Sequence, residues 1–149
     1  MPIIIDGWNF IRNRASRIPD DGPDALDAAA ELVAYLGAFQ ASHNDPITVV
    51  FDSSNEYLDF DYRNTPKLRV VAARNADTYI KHYIDRTPER QRRNLRVVSS
   101  DNEVYFHARS AYATPLRSEE FWAKLSGRGR ERDEDDGSDK ERYFNGGNR

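Results

Sequence analysis

The chain has 149 residues, 22 Lys and Arg against 25 Asp and Glu, and no cysteine. That length suits one domain with its own core, and a net charge of −3 gives no global attraction to nucleic acid, so a polyanion would have to be met by a local patch. The absence of cysteine excludes disulfides, thiolate zinc sites and cysteine nucleophiles, and the opening MPIIID carries neither a signal-peptide pattern nor a membrane span, so a soluble, cytoplasmic protein with no membrane partner is expected.

Ile3-Ile4-Ile5 is a short β-branched run that reads as a buried strand and ends on Asp6. The stretch from Asn9 to Gly22 is polar, and Pro19-Asp20-Asp21-Gly22-Pro23 is strong turn chemistry, so a loop is expected there. Asp24 is placed to cap a helix in which Leu26, Ala29, Ala30, Val33, Leu36, Gly37 and Gln40 recur at helical spacing, until Asn44-Asp45-Pro46 stops it. Ile47 to Phe51 reads as a second strand, ending on Asp52. A long polar and aromatic loop is expected from Asp52 to Lys67, followed by a third strand over Leu68 to Ala72.

Asn75 then caps a helix with Ala76, Tyr79, Ile80, Tyr83 and Ile84 on one face, ended by Thr87-Pro88; Asp77 falls in its first turn at the edge of that face. Leu95 to Ser99 reads as a fourth strand. Ser100 and Glu103 have capping-box spacing for the next helix, which leaves Asp101 as a first-turn acid. Ala113 to Leu116 contains Pro115 and suits an edge strand, and Ser118-Glu119-Glu120 opens a last helix with Phe121, Trp122 and Leu125. This alternation predicts an α/β fold with a mostly parallel central sheet flanked by helices. The composition shifts at residue 126 to Gly, Arg, Asp and Glu, so residues 1–125 are expected to form the domain and 126–149 a disordered charged tail.

In an open parallel sheet, ligands bind beyond the carboxyl ends of the strands, and Asp6, Asp52 and Asp101 would meet at that rim with Asp77 beside them. Crowded carboxylates repel one another, and a hard divalent cation neutralises them; held there, it can activate water and stabilise charge on a phosphoryl group. Each acid also has an ordinary role open to it, in a turn, a cap or the first turn of a helix. The spacing by itself names no reaction. The three histidines, His43, His82 and His107, lack ligand spacing, and no phosphate-cradling or dinucleotide glycine motif is present.

The run Ile3-Ile4-Ile5-Asp6-Gly7-Trp8-Asn9-Phe10-Ile11 resembles the (V/I)DGYN-x-(I/L) opening of NYN domains, most closely the YacP-like branch of the PIN-like nuclease superfamily. Four later blocks follow in the family's order: Val49-Val50-Phe51-Asp52, Ala76-Asp77-Thr78-Tyr79-Ile80, Val97-Val98-Ser99-Ser100-Asp101 and Arg117-Ser118-Glu119-Glu120-Phe121. The resemblance implies a PIN-like three-layer sandwich and a metal-dependent endoribonuclease, with Asp6, Asp77 and Asp101 as ligands of Mg²⁺ or Mn²⁺. It also implies Asp52 as a ligand or outer-shell acid, Asn9 as a residue that steadies the site or its water, RNA as substrate and the ribosome as a candidate partner where mRNA would be cut. The chain departs from the family in carrying Arg74 and Asn75 where an acid and a threonine usually precede the ADxxI block. One anionic ligand fewer weakens a cation site, although an arginine fork suits phosphate.

For RNA itself, Trp8 is a candidate stacking face or else a packing aromatic, and Lys67, Arg69 and Arg74 lie nearest the acids in sequence. Arg86, Arg90, Arg92, Arg93 and Arg96 form the densest basic stretch, but it leads into the amino end of a strand, away from the rim. Two other functions fit less of the chain. One is a catalytically weak or inactive PIN-like module that binds RNA or the ribosome. The other is a phosphoacceptor domain, which needs an acidic pair after the first strand and a late lysine, where Gly7 and Arg117-Ser118 stand.

Overall fold

Three isoleucines pointing to alternate faces can be buried on both sides only if helices cover both faces of the sheet, and that is the arrangement the chain adopts. In the computed structural model, which describes residues 1–19, 25–52 and 65–127, β1 (Ile3–Asp6) is the central strand of a five-stranded parallel sheet. It pairs with β2 (Ile47–Asp52) on one side and β4 (Arg96–Val98) on the other; β3 (Leu68–Ala73) and β5 (Thr114–Leu116) are the edges, giving the order β3-β2-β1-β4-β5. The sheet is thus wholly parallel among the described residues, where a mostly parallel one was expected. Pro115 sits in edge strand β5 opposite Val97, where a missing N–H costs no ladder bond to a further strand. The expected turn at 20–23, the Asp24 cap, the Leu26 side chain, most of the 52–67 loop and the segment from residue 128 lie outside the described residues.

One face of the sheet packs Ile3, Ile5, Val49 and Phe51 against α1 (Gly7–Ile11), α2 (Ala25–Gln40) and α6 (Ser118–Leu125). Phe10 stacks on Trp122 at 4.3 Å between ring centroids, and the Trp122 indole N–H donates to the Phe10 carbonyl at 2.8 Å. The other face packs Ile4, Val50 and Val97 against α3 (Ala76–Arg86) and α5 (Asn102–Ser110), through Ile80, Ile84, Val104 and Ala108. These layers make the three-layer α/β sandwich. A four-residue turn of helix, α4 (Glu89–Arg92), connects α3 to β4.

Local features differ from expectation in three places, each for a physical reason. Helix begins at Gly7, directly after β1, rather than a loop from Asn9; a Cβ at Gly7 would stand 2.5 Å from the Phe51 ring, so only glycine lets the chain turn this close to β2. The buried face of α2 is Ala28, Ala29, Leu32, Leu36 and Phe39, rotated away from Ala30 and Gly37, which are exposed. The larger side chains decide this: Phe39 meets Phe121, and Tyr35 meets Trp122 edge-on. Finally, Asp101 rather than Ser100 caps α5, accepting from the amides of Glu103 at 2.8 Å and Val104 at 3.2 Å. Asn75 caps α3 as expected, through the Thr78 amide at 3.0 Å. Among the described residues no helix is long and apolar enough to cross a membrane.

Candidate metal centre

Strand parity carries Asp6 and Asp52, the last residues of β1 and β2, to the rim on the side covered by α3 and α5. The parallel topology brings the amino ends of those helices to the same rim, so that Asp77, in the first turn of α3, and Asp101, the cap of α5, face the strand ends. A cavity of about 640 Å³ opens there, lined by Asp6, Asp52, Asp77, Asn9, Ser100 and Arg117 among others.

Asp6 is only 7 % exposed. Burial, then the charges of Asp77, Asp101 and Asp52, push its carboxyl up to about 7, against the lowering effect of the Asn9 backbone N–H that donates to it. The Asp77 carboxyl is also raised, first by burial and then by Asp101 and Glu103, with Lys81 opposing. Burial and mutual repulsion therefore dominate this pocket and favour a proton or a cation.

Carboxylate oxygens of Asp77, Asp101 and Glu103 come within 4.8 Å of one another, close enough to share one ion. This set includes Glu103, which the resemblance does not imply, and the buried Asp6 carboxyl lies on the same rim. Lys81, one turn after Asp77, pairs with Glu103 across the two helices. Asp101 already commits Oδ1 to the helix cap, which fixes the orientation of its carboxylate. An all-oxygen, all-anionic donor set of this kind fits a hard divalent cation.

Asn9 ties three elements together. Its Oδ1 accepts from the Ser100 amide at 2.8 Å and the Ser118 hydroxyl at 3.0 Å, joining α1 to the β4–α5 turn and to α6. Ser100 Oγ donates to Glu119 Oε1 at 2.9 Å, and Asn13 Nδ2 donates to the same oxygen at 3.1 Å. These bonds, with its own backbone amide, hold the Glu119 carboxyl below its ordinary range.

The candidate RNA contacts separate. Trp8 is 8 % exposed, its ring packed on Phe51 at 4.7 Å and its N–H donated to the Asp52 carbonyl at 2.8 Å, so the packing role describes its place and it offers no open stacking face. Lys67 lies at the amino end of β3, its carbonyl accepting from the Ile47 amide at 2.7 Å; Arg69 is paired with Thr48 one residue into the sheet. Both therefore sit toward the pole opposite the acids, because a strand of six residues carries the chain about 20 Å. Arg74 alone of the three is at the acidic end, exposed just before the α3 cap.

Sequence reasoning did not single out Arg12, Asn13 and Arg14, which also line the cavity; they fall in the segment expected to be a loop leaving the rim. Arg117 and Glu119 do lie in a quoted motif, but their convergence on Ser100 needs the β4–α5–β5 crossover to be known. Arg117 donates to the Ser100 carbonyl at 3.2 Å and to Asn102 Oδ1 at 2.9 Å, with its guanidinium 3.7 Å above the Tyr105 ring.

No curated protein matches the chain. Among solved structures it is similar to the crystal structure of Rae1 (YacP) from Bacillus subtilis, at 15 % identity and a TM-score of 0.65, with 88 % of this chain and 76 % of that one covered. The W164L mutant of the same protein gives 16 % identity, a TM-score of 0.64, and 88 % and 77 % coverage. Those likenesses establish the shared fold, and the YacP-like NYN domain model matches residues 3–145, so the chain belongs to the YacP-like NYN domain family.

Proposed function

We propose that this chain is a metal-dependent endoribonuclease that hydrolyses phosphodiester bonds in RNA. The observation that carries the proposal is the convergence of Asp6, Asp52, Asp77 and Asp101 on one rim, with Asp6 buried and pushed up to about 7 by burial and by its neighbours. Membership of the YacP-like NYN family supports a nuclease-type, RNA-related role. Asp6, Asp77 and Asp101 would hold Mg²⁺ or Mn²⁺, with Glu103 as a further oxygen donor; such an ion, when bound, supplies an acidified water and offsets charge on the phosphoryl oxygens.

The chain's own residues have separate tasks in this scheme. Asp52 keeps the rim anionic from the β2 side. Asn9 holds the Ser100 turn and the start of α6 in register, so that Asp101 meets Asp77. Arg12, Arg14 and Arg117 offset the negative charge of an entering phosphodiester, which a pocket of bare carboxylates would repel. Water would attack phosphorus while the 3′ oxygen leaves, giving a 5′-phosphate and a 3′-hydroxyl.

Incubation of the protein with end-labelled RNA and Mn²⁺ or Mg²⁺ tests this. Chelator-sensitive cleavage that disappears in both Asp6→Asn and Asp101→Asn is expected, and full activity in both variants would overturn the assignment. A second function, an RNA-binding module with weak metal affinity, is favoured by one feature: exposed Arg74 stands just before the α3 cap, at the carboxyl end of the sheet. Thermal melting in millimolar Mg²⁺ or Mn²⁺ separates the two, since an ion bound only by the folded chain raises Tm.

A further inference from the structure

The arginines between α3 and β4 have no task at the acidic rim, and the fold gives them partners that the sequence does not show. Arg90 and Arg93 line a cavity of about 1060 Å³ together with Arg109 and Tyr112, contributed by the far end of α5. Glu89 is the one acid in that lining, against three arginines, so the groove is net positive. None of these arginines forms an ion pair with a described residue. A groove of guanidinium groups with no ion-pair partner among the described residues suits a phosphodiester backbone, to which arginine can donate as a fork.

Tyr112 strengthens the case. It is 72 % exposed, and at φ 68° it is the one non-glycine residue in the left-handed region among the described residues. It follows the end of α5 at a position that ordinarily takes glycine, with the next amide, that of Ala113, returning to the Ala108 carbonyl at 2.9 Å. The chain holds an aromatic ring in solvent, on strained backbone, beside three arginines. Nothing in the packing of the fold calls for it.

Helix α5 joins this groove to the acidic rim. Asp101 caps its first turn, Tyr112 follows its last, and eleven residue steps along the helix separate them by about 16 Å. Between them Phe106 is 47 % exposed and Arg109 lies one turn further on, so both open to solvent on the outer face of the helix. At the acidic end Arg117, which lines the catalytic cavity, lies 5.9 Å from the Phe106 ring. Cationic and aromatic groups thus alternate from one site to the other, the pattern by which single strands are held through phosphates and stacked bases.

We infer that the outer face of α5, from Arg117 past Phe106 to the Arg90, Arg93, Arg109 and Tyr112 groove, binds single-stranded RNA and leads it to the acidic rim. That the strand is cut at the rim rests on the nuclease reading above; that it binds along α5 does not.

The test is fluorescence anisotropy of the full chain with a labelled, unstructured RNA of mixed sequence in EDTA, across a salt series. The double substitution Arg90→Ala/Arg93→Ala should weaken binding about tenfold or more and reduce the slope of log affinity against log salt by about 1.4, the value for two lost phosphate contacts. Phe106→Ala and Tyr112→Gly should each weaken it about fivefold or more, as loss of one stacked base does. Tyr112→Gly should do so with unchanged or raised Tm, because glycine relieves the left-handed strain; a purely structural role for the ring would lower Tm. Lys124→Ala, an exposed charge on α6, is the control and should bind as the parent does.

Parental affinity in the arginine pair and in Tyr112→Gly, an equal loss in Lys124→Ala, or no RNA binding by the parent would each overturn the inference. Chelator-sensitive cleavage alongside unaltered binding in the variants would remove the α5 path and leave the nuclease reading standing. The expected binding losses without any cleavage would do the reverse.

Discussion

Replacement of Asp6 by asparagine should stabilise the metal-free protein above neutral pH while abolishing the proposed RNA cleavage. The carboxyl ordinarily titrates at 3.8 and is pushed up to about 7 in the fold, so the folded chain holds its proton more tightly than the unfolded one. Stability contributed at this site is therefore present at low pH and is lost as pH rises from about 4 to about 7, after which it levels off. The full span corresponds to about 4 kcal/mol at pH 8, an upper figure because part of it comes from the charges of Asp77, Asp101 and Asp52, which salt screens. Asparagine keeps an oxygen for the Asn9 amide and carries no charge, so at least half of that penalty should be relieved. The expected gain at pH 8 is about 2 kcal/mol, or about 4–8 °C in Tm. Calorimetry in EDTA from pH 4 to 9 measures it: the variant's advantage should grow as pH rises from about 4 and level off above about pH 7. Addition of Mg²⁺ should reverse the order, since the parent alone keeps the full donor set. A variant less stable than the parent at pH 8 without metal, or a gap that does not change with pH, would refute the account of Asp6 as an uncompensated buried charge.

Three further substitutions probe other parts of the structure. Gly7→Ala forces a methyl group to 2.5 Å from the Phe51 ring and should cost about 1–3 kcal/mol in chemical denaturation. Asp101→Asn retains a good helix cap and should melt like the parent, whereas Asp101→Ala should lose about 1 kcal/mol; both should be inactive in the RNA cleavage assay. Trp122→Ala removes a ring that is 1 % exposed, stacked on Phe10 and hydrogen-bonded to its carbonyl, and should lower stability by about 3–5 kcal/mol with the acidic rim itself untouched.

The strands are the most legible part of the sequence because burial on both faces requires continuous apolar runs, as in Ile3-Ile4-Ile5 and Ile47 to Phe51, and such runs end where the sheet ends. The aspartates that terminate those runs are legible for the same reason: strand ends and ligand rim coincide in a parallel sheet. The face of α2 was less so. Its sequence offers two overlapping apolar arcs, and the choice between them is made by Phe121 and Trp122, more than 80 residues away. The role of Glu103 was hidden in the same way. Capping-box spacing suggests that it turns back on its own helix, but Asp101 takes the cap, and Glu103 instead reaches Lys81 on α3. Lys67 and Arg69 lie near the acids in sequence but not in space, because most of strand β3 separates them from the rim.

Among the described residues, α3 and α5 carry acids at the rim and arginines at their far ends, and the parallel topology explains the division. Every crossover helix that covers such a sheet starts at the carboxyl rim and ends at the opposite pole, so amide N–H groups accumulate at one end and carbonyls at the other. Acids are tolerated where the amides are: Asp101 caps α5, and Asp77 and Glu103 stand in the first turns of α3 and α5. Cations are tolerated where the carbonyls are: Arg86 ends α3, Arg109 ends α5, and Arg92 donates to the Thr87 and Asp85 carbonyls at 2.9 and 3.0 Å. Helix-end electrostatics alone would produce an acidic pole and a basic pole in many α/β proteins. They do not require that the acids be buried, as Asp6 is, or that an aromatic ring stand exposed on left-handed backbone beside the arginines, as Tyr112 does. Those two residues work against the stability of the fold at opposite ends of α5, and it is there that binding chemistry, rather than folding, has the better claim to explain the sequence.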